Sequence, residues 1–460
     1  MATSSLLLVL ALQLSGALAH NNGLALTPQM GWNTYSHFGC DFSEDVIMSV
    51  AQSFIANGLP DYGYEYILLD DCWQAPARNE TTGAPVADPT KFPNGLASLA
   101  DQIHSLGLKF GIYSDAGKCV IMLDAFRRRR HFNSIASPRY TCGGRFASLG
   151  YETIDAQTYA EWGMDYLKYD NCYNEGQAGT PKLSYDRHAN MSNALNATGR
   201  PILYSMCNWG EDGPWNFAPT IANSWRISGD IYDNYDRFDE RCPCTSMLDC
   251  KLPGYQCAMT RIIDFVAPLS QKAGPNHWND LDILQVGKGG MTYDEYVTHF
   301  SMWALLKSPL ILGNDVTSMT NETLSIITND AIIAVNQDAN GSPVERRWNT
   351  PISTGGTLSL WSGSLVKNTF VAALMNTSPD AQTVSVNFTD VFIDQGASYQ
   401  AGTYEIYDLW QKDDAGAWGA SVGTYTGSIP NVQIGAHQVK VWKAVPTSSD
   451  SASRRDLSEL

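Results

Sequence analysis

The chain has 460 residues, of which 44% are apolar and 17% are charged, and its formal net charge at pH 7 is −17. Its length predicts two or three domains, or one barrel with an accessory domain, and its apolar fraction excludes a disordered chain. The acidic excess argues against a nucleic-acid partner, because such a partner requires a basic surface that displaces counterions.

Residues 1–19 are predicted to be a signal peptide. Residues 5–14 are mostly apolar, and Ala17-Leu18-Ala19 supplies the small residues preferred at a cleavage site. This apolar run is too short to span a bilayer, and no later segment reaches the length of a membrane helix. We therefore expect a secreted, extracellular protein without a membrane partner.

Two further features agree with secretion. The chain has ten cysteines, which are typical of compartments where disulfides persist. It also carries several Asn-x-Ser/Thr sequons, the acceptors of N-linked glycans. The candidate glycosylation sites are Asn79, Asn190, Asn196, Asn321, Asn340, Asn376 and Asn387.

Four cysteines cluster at Cys242, Cys244, Cys250 and Cys257. We predict local disulfides here, with a zinc site as the alternative. The Cys-x-Cys spacing lacks the paired Cys-x-x-Cys of most zinc sites, and no histidine lies nearby.

Short apolar runs alternate with amphipathic stretches over residues 24–338. The predicted strands are 30–32, 66–69, 109–113, 166–168, 202–204, 224–226, the run near 276–278, and 310–312. Helical patterns lie between them, for example at 46–57, 95–106, 153–162 and 293–306. About eight such units in roughly 300 residues are typical of a (β/α)8 TIM barrel, which we place at residues 20–340.

The pattern changes after residue 341. Short alternating strands are predicted at 358–361, 370–375, 383–387, 403–408 and 438–442, separated by Gly, Ser, Asn and Pro turns. This pattern indicates a C-terminal antiparallel β-sandwich over residues 341–446. Residues 447–460 form a polar tail.

Polar side chains follow many of the barrel strands where those strands end. They are Asp70, Asp71, Tyr113, Asp170, Arg226, Asp230, Asp280 and Asp282. Active sites of such barrels lie at the carboxyl ends of the strands, so this recurring position indicates a site there.

Two carboxylates stand out as candidates for catalysis. Lys168 and Asp170 lie two residues apart in a strand, so both face the barrel mouth, and the cation favours the ionised carboxylate that a nucleophile needs. Asp230 follows Arg226 at another strand end. Two carboxylates facing one sugar are the minimum for glycoside hydrolysis. Spacing leaves open whether they face each other, and a surface ion pair remains the alternative.

The adjacent acids Asp70 and Asp71 suit sugar binding, in which carboxylates accept hydrogen bonds from vicinal hydroxyls. Trp32 or Tyr35 would supply the aromatic face against the sugar. Helix capping and calcium binding are the alternatives, and the acids lack the spacing of an EF-hand loop. No nucleotide or redox motif appears, so we expect neither cofactor nor metal.

Five ordered motifs resemble glycoside hydrolase family 27, the family of α-galactosidases (melibiases) and α-N-acetylgalactosaminidases, and in detail its fungal α-galactosidases. They occupy residues 30–35, 66–73, 109–115, 168–172 and 278–280 and cover nearly the whole barrel. The resemblance implies a retaining double displacement on a barrel followed by a β-sandwich. It assigns Asp170 as nucleophile and Asp230 as acid/base, with carboxyl groups about 5–5.5 Å apart.

The same resemblance implies the remaining site. The substrate-binding residues are Asp70, Asp71, Tyr113, Cys142, Lys168 and Arg226. Asp70 and Asp71 would hold the outer galactose hydroxyls, and Arg226 would reach the 2-position. The implied disulfides are Cys40–Cys72 and Cys142–Cys172.

The chain departs from this family at two places. Cys119 to Arg139 form an insertion with a run of four arginines, and a retained intron is favoured over a solvated loop or a basic patch for an acidic partner. If it is present in the protein, the role of Cys142 and its bridge are in doubt. Asn208 replaces a glutamate of many α-galactosidases in the loop facing the 2-substituent. Cys119 and Cys207 have no predicted partners.

The sequence favours an exo-α-galactosidase that acts on melibiose, raffinose-type oligosaccharides or galactomannan. The alternatives are an α-N-acetylgalactosaminidase, a β-L-arabinopyranosidase and a galactoside-binding protein without catalysis. The pair Asp170 and Asp230 argues against the last of these, because a binding protein needs no acid/base pair.

Overall fold

The computed structural model describes residues 22–117, 140–174, 176–242 and 255–447. The predicted signal peptide, the insertion with Cys119, the residues Cys244 and Cys250, and the polar tail lie outside these ranges.

Eight parallel strands form one curled sheet in the order β10-β1-β2-β3-β4-β5-β6-β9. These strands are β1 (Met30–Asn33), β2 (Tyr66–Leu68), β3 (Lys109–Asp115), β4 (Tyr166–Asp170), β5 (Leu203–Met206), β6 (Ser224–Arg226), β9 (Trp278–Asp280) and β10 (Leu310–Leu312). Beside them, β7 (Asp230–Ile231) pairs with β8 (Tyr255–Cys257). Leu284, just beyond β9, bridges to Leu312 of β10 and closes the sheet into a barrel. The predicted (β/α)8 fold is confirmed.

The barrel strands overlap the predicted runs to within two residues at each end, and the largest shift of a whole strand is at β9. This strand begins at Trp278 rather than near residue 276, because Asn276 has a φ of 72° and the preceding residues form a turn. The Gly274 N–H donates to the His277 carbonyl at 2.8 Å and closes that turn.

Helices connect the barrel strands. They are α1 (Tyr35–Phe38), α2 (Glu44–Ala56), α3 (Gly95–Ser105), α4 (Glu152–Glu161), α5 (Pro181–Ala197), α6 (Met259–Val266), α7 (Tyr293–Leu305), α8 (Asn321–Ile327) and α9 (Asp330–Asn336). Side chains fix several helix starts, and α7 has a complete capping box between Thr292 and Glu295. No helix in the described ranges is long and apolar enough to cross a membrane.

The C-terminal domain is antiparallel. Its strands are β11 (Glu345–Pro351), β12 (Thr357–Leu365), β13 (Thr369–Asn376), β14 (Gln382–Asn387), β15 (Thr403–Lys412), β16 (Trp418–Thr426), β17 (Ser428–Ile434) and β18 (Val439–Pro446). Two short helices, α10 (Phe388–Val391) and α11 (Ala397–Gln400), follow β14. Six strands form one sheet in the order β11-β12-β13-β18-β15-β16, and β14 pairs with β17. The predicted sandwich is confirmed, but β11, β16 and β17 were not predicted. Their sequences are polar or glycine-rich and lack a clear apolar alternation.

The core of the barrel continues into one face of the sandwich, and the other face of the sandwich packs in a separate cluster. Trp361 and Val441 of the sandwich are fully buried in the same cluster as the barrel residues. Polar contacts add to this packing: the Trp410 indole donates to Ser301 Oγ at 2.8 Å, and His437 Nδ1 lies 2.7 Å from Glu295 Oε1. The junction is therefore continuous with the interior of the barrel.

Because the core is continuous, we expect the domains to unfold together. Differential scanning calorimetry should give one transition, with a calorimetric enthalpy equal to the van't Hoff enthalpy. Two resolved transitions would contradict this prediction.

Candidate active site

The polar side chains at the strand ends meet in one pocket of about 970 Å³. Nine of the residues that the sequence assigned to catalysis or substrate binding line it, namely Tyr35, Asp70, Asp71, Tyr113, Cys142, Lys168, Asp170, Arg226 and Asp230. Most of them lie in or directly after strands of the parallel sheet, whose carboxyl ends lie at the same end of the barrel, while Tyr35 lies in α1, Cys142 in a loop and Asp230 in β7.

Asp70 is fixed deep in the pocket by three donors. Lys168 Nζ lies 2.7 Å from Asp70 Oδ2, and Asn33 Nδ2 donates to the same oxygen at 2.9 Å. The Asp71 N–H donates to Asp70 Oδ1 at 2.9 Å. Burial lowers the pKa of Lys168, but the charge of Asp70 and of other nearby acids outweighs burial and holds that pKa well above its ordinary value.

Asp71 is held by the segment that follows the insertion. Thr141 Oγ1 donates to Asp71 Oδ1 at 2.8 Å, and the Gly143 N–H donates to Asp71 Oδ2 at 2.6 Å. Between these residues, Cys142 is bonded to Cys172, and Cys72 is bonded to Cys40. Both implied disulfides are present beside the insertion, so the doubt about the Cys142 bridge is removed.

Asp170 lies in a strongly desolvated position. Burial raises its pKa to about 7. The Lys168 ammonium opposes this shift, whereas the charges of Asp230 and Asp70 add to it. The sequence argument that Lys168 favours the ionised form is correct in sign, but the lysine contacts Asp70 directly and burial dominates.

Arg226 connects Asp230 with a second acid. Its Nη2 lies 3.1 Å from Asp230 Oδ1 and 2.9 Å from Asp282 Oδ2. Asp282 also accepts the N–H of Ile231, the residue after Asp230, at 2.8 Å. Burial raises the pKa of Asp282 to about 6, against the effect of Arg226. Asp282 thus holds both Arg226 and the backbone beside Asp230.

Two predicted substrate contacts need correction. Trp32 is fully buried and does not line the pocket, since its indole donates to the Asn314 carbonyl at 2.8 Å, so of Trp32 and Tyr35 only Tyr35 lines it. Asn208 is also fully buried, and its amide donates to the Glu211 carbonyl at 2.8 Å. Its neighbour Trp209, which has a φ of 56°, lines the pocket instead.

Several lining residues were not assigned to the site from the sequence. They are Trp209, Tyr232, Asp233, Asp282, Gln285 and Lys288. Asp282 was visible as a polar strand-end residue, but its link to Arg226 depends on the adjacency of β6 and β9 in the barrel. The other five lie in loops without a recognisable spacing.

Within the described residues, three further cysteines can be assigned. Cys242 is bonded to Cys257, which agrees with the predicted local disulfide. Cys207 is a free, buried thiol beside Arg226, whose Nη1 lies 3.6 Å from the Cys207 sulfur. Burial raises the pKa of Cys207 well above its ordinary value, so it remains a neutral thiol.

The barrel and the sandwich both match known families. A sequence profile described as "Alpha galactosidase A" matches residues 27–125 and 135–338. A second, the α-galactosidase C-terminal β-sandwich domain, matches residues 355–444. The unmatched residues 126–134 fall inside the insertion.

The chain belongs to the α-galactosidases of glycoside hydrolase family 27.

Individual members of the family are similar over nearly their whole length. The α-galactosidase mel1 of Schizosaccharomyces pombe is 46% identical over 423 residues, which cover 92% of this chain and 90% of that protein. The structure of α-galactosidase I from Mortierella vinacea is 49% identical with a TM-score of 0.82, covering 93% of this chain and 98% of that one. The structure of the Saccharomyces cerevisiae α-galactosidase with raffinose is 38% identical with a TM-score of 0.85, covering 93% and 99%. As a member of this family, the chain is a glycoside hydrolase with α-galactosidase activity.

The contacts of Asp282 generate a first prediction for the site. Asp282→Asn should lower kcat/KM for p-nitrophenyl α-galactoside by about 10- to 100-fold, because displacement of reacting groups by about 1 Å has effects of that size. The melting temperature should change little, since Arg226 keeps its contact with Asp230. Asp264→Asn, in an ion pair with Arg346 in a half-exposed position, is the matched control and should keep full activity. Full activity of Asp282→Asn would refute the positioning role.

The raised pKa of Asp170 generates a second prediction. An unfolded aspartate has a pKa of about 3.9, so between that value and about 7 the folded protein binds the extra proton and stability falls as pH rises. Asp170→Asn cannot ionise and should therefore melt at a higher temperature than the wild type. The difference should grow from pH 4 to pH 7 in thermal unfolding by circular dichroism. A difference in melting temperature that does not depend on pH would show that ionisation of Asp170 does not destabilise the folded protein.

Proposed function

We propose that the protein is a secreted, retaining exo-α-galactosidase that removes terminal non-reducing α-D-galactose, with Asp170 as nucleophile and Asp230 as general acid/base. The observation that carries this proposal is the difference in depth between the two acids. Asp170 is 6% exposed, whereas the side chain of Asp230 is 42% exposed and lies towards the mouth. A terminal sugar would enter with its anomeric carbon over Asp170, and its leaving group would remain near Asp230.

The reaction then needs two balanced steps. In the first, an Asp170 oxygen bonds to the anomeric carbon while the glycosidic C–O bond breaks, and Asp230 gives its proton to the departing oxygen. In the second, Asp230 takes a proton from water, and the resulting hydroxyl displaces Asp170 from the anomeric carbon. Galactose leaves with its original anomeric configuration.

Asp70 and Lys168 support binding of one sugar at the bottom of the pocket. Three donors already contact Asp70, and a carboxylate offers about four acceptor positions, so it retains one for a sugar hydroxyl. Asp71 likewise accepts from Thr141, from Gly143 and from the Cys72 N–H. These fixed acceptors would select the orientation of the outer galactose hydroxyls.

The outer part of the pocket supports a range of leaving groups. Tyr232, which is 43% exposed, and Lys288 line the pocket in the region beyond Asp230. An open rim of this kind would accept melibiose, raffinose-type oligosaccharides and galactomannan side chains. The raffinose in the similar S. cerevisiae structure supports the oligosaccharide part of this range.

Secretion is part of the proposal and is supported by three disulfides in the described residues. Six of the predicted glycosylation sites, all except Asn376, are exposed. Asn376 needs correction: it is fully buried, and its amide donates to the carbonyls of Asp380 and Gly435 at 2.8 Å. A glycan on this nitrogen is incompatible with the fold.

A related α-N-acetylgalactosaminidase is the second candidate. The loop after β5 places the large indole of Trp209 at the pocket surface, and Arg226 lies nearby. This arrangement leaves less room for an acetamide than small side chains would, so galactose is favoured.

The test is hydrolysis of p-nitrophenyl α-D-galactopyranoside and its α-N-acetylgalactosaminide by the purified secreted protein. We expect release from the galactoside alone. Asp170→Asn should abolish turnover of every substrate. Asp230→Asn should lose about 10²- to 10⁴-fold on natural substrates but retain a burst with activated aryl galactosides, which need no proton on the leaving group.

Asp264→Asn again serves as the control and should behave as the wild type. Equal residual activity in the two active-site variants would refute the assigned roles. Release from the N-acetylgalactosaminide alone would establish the second candidate. If neither substrate is hydrolysed but deletion of residues 119–139 restores hydrolysis, the insertion is the cause of the inactivity. If neither is hydrolysed after the deletion, the protein is a binding protein without catalysis.

A further inference from the structure

A groove of about 350 Å³ lies between the two domains, away from the active site. Its barrel side consists of Tyr62 and of residues from α8 and α9, and its sandwich side is the β15–β16 hairpin. The groove shares no lining residue with the active-site pocket. Tyr62 precedes β2, so the groove is at the opposite end of the barrel from the catalytic carboxylates.

The lining of the groove has the chemistry of a sugar site. Tyr62 and Trp418 are half-buried aromatic side chains, and the hydroxyl-bearing residues are Ser325, which lies on α8, and Thr328, which directly follows that helix. Lys412 and Asp330 add one charge of each sign. The lining is mainly polar with two aromatic faces, which suits a sugar, because a sugar offers C–H groups to an aromatic face and hydroxyls to hydrogen-bonding side chains.

The aromatic wall is held rigidly. Trp418 packs edge-on against Trp410 with ring centroids 5.7 Å apart, and the Trp410 indole N–H donates a hydrogen bond to Ser301 of the barrel. Lys412 Nζ lies 4.4 Å from the centre of the Trp418 ring. The wall therefore exists before any ligand arrives, which lowers the entropy lost on binding.

The chain itself supplies a candidate occupant. Asn321, the first residue of α8, is an exposed sequon asparagine and lines this groove. None of the other exposed sequon asparagines, at 79, 190, 196, 340 and 387, lines it. A glycan on Asn321 would begin inside the groove, within reach of Trp418 without any intervening linker.

We propose that the groove is the seat of the inner N-acetylglucosamine residues of an N-linked glycan on Asn321, which thereby joins α8 of the barrel to the sandwich hairpin. Covalent attachment gives the sugar a high effective concentration, so a groove too shallow for a free sugar holds a tethered one. The inference rests on the proposed secretion but not on the proposed catalytic roles.

The experiment compares glycan release at individual sites of the native, secreted enzyme. Peptide-N-glycosidase F is applied without denaturant, and each glycopeptide is followed by mass spectrometry. We expect Asn321 to be glycosylated and its glycan to be released about tenfold more slowly than that of Asn190. This factor corresponds to a glycan that occupies the groove about nine-tenths of the time and is accessible to the glycosidase for the rest. Asn190, exposed on α5, is the matched reference site.

Variants test what the seated glycan does. Asn321→Gln should lower the melting temperature by about 2 °C and leave kcat/KM for p-nitrophenyl α-galactoside unchanged, whereas Asn190→Gln should change neither. Trp418→Ala should raise the release rate at Asn321 to that at Asn190. Because loss of Trp418 also weakens its packing on Trp410, Ser325→Lys, which fills the groove from α8, provides a second variant with the same expected release rate.

Three results would overturn the proposal. The first is a folded, active enzyme whose Asn321 carries no glycan. The second is release at Asn321 as fast as at Asn190 in the wild type. The third is retention of Asn321→Gln on immobilised galactomannan in a Trp418-dependent manner, which would make the groove a polymer site. Absence of activity in the wild type and in every variant alike would count against the proposed function and not against the glycan seat.

Discussion

The active site depends on an excess of buried negative charge that two cations compensate. Lys168 and Arg226 face a larger set of acids in and beside the pocket, namely Asp70, Asp170, Asp230, Asp280 and Asp282. Burial raises the pKa of Asp170 to about 7 and that of Asp282 to about 6, so these charges oppose the folded state near neutral pH. The acids remain close together because the barrel strands and two disulfides fix the backbone that carries them.

The two cations divide this charge between binding and catalysis. Lys168 contacts Asp70 and so fixes the acid that would hold the sugar. Arg226 lies between Asp230 and Asp282 and so fixes the region of the proposed proton donor. A single cation would leave one of these regions with uncompensated charge, which a buried carboxylate tolerates only by taking up a proton.

The sequence predicted the barrel and most of the pocket because both follow from period and position. Lys168 and Asp170 lie on one face of β4 by strand alternation alone. The same reasoning fails for Trp32, since an aromatic residue next to a strand end is compatible with either a pocket wall or a core. It also fails for Asn208 and Trp209. Asn208 is buried and Trp209 lines the pocket instead, because the backbone turns with a positive φ at Trp209. The contact between Asp282 and Arg226 requires the pairing of distant strands.

The insertion illustrates how a departure from the family pattern can leave the site intact. Gly117 and Tyr140 flank the insertion and adjoin each other, because a side chain at Gly117 would overlap the carbonyls of both Tyr140 and Cys172. Glycine is required at this position, and the two ends of the insertion already meet without it. Lengthening a loop whose ends are in contact adds little to the closure entropy. Beyond Tyr140, the hydrogen bonds to Asp71 and the Cys142–Cys172 bridge fix the chain again. We therefore expect the pocket to keep its geometry when residues 119–139 are removed.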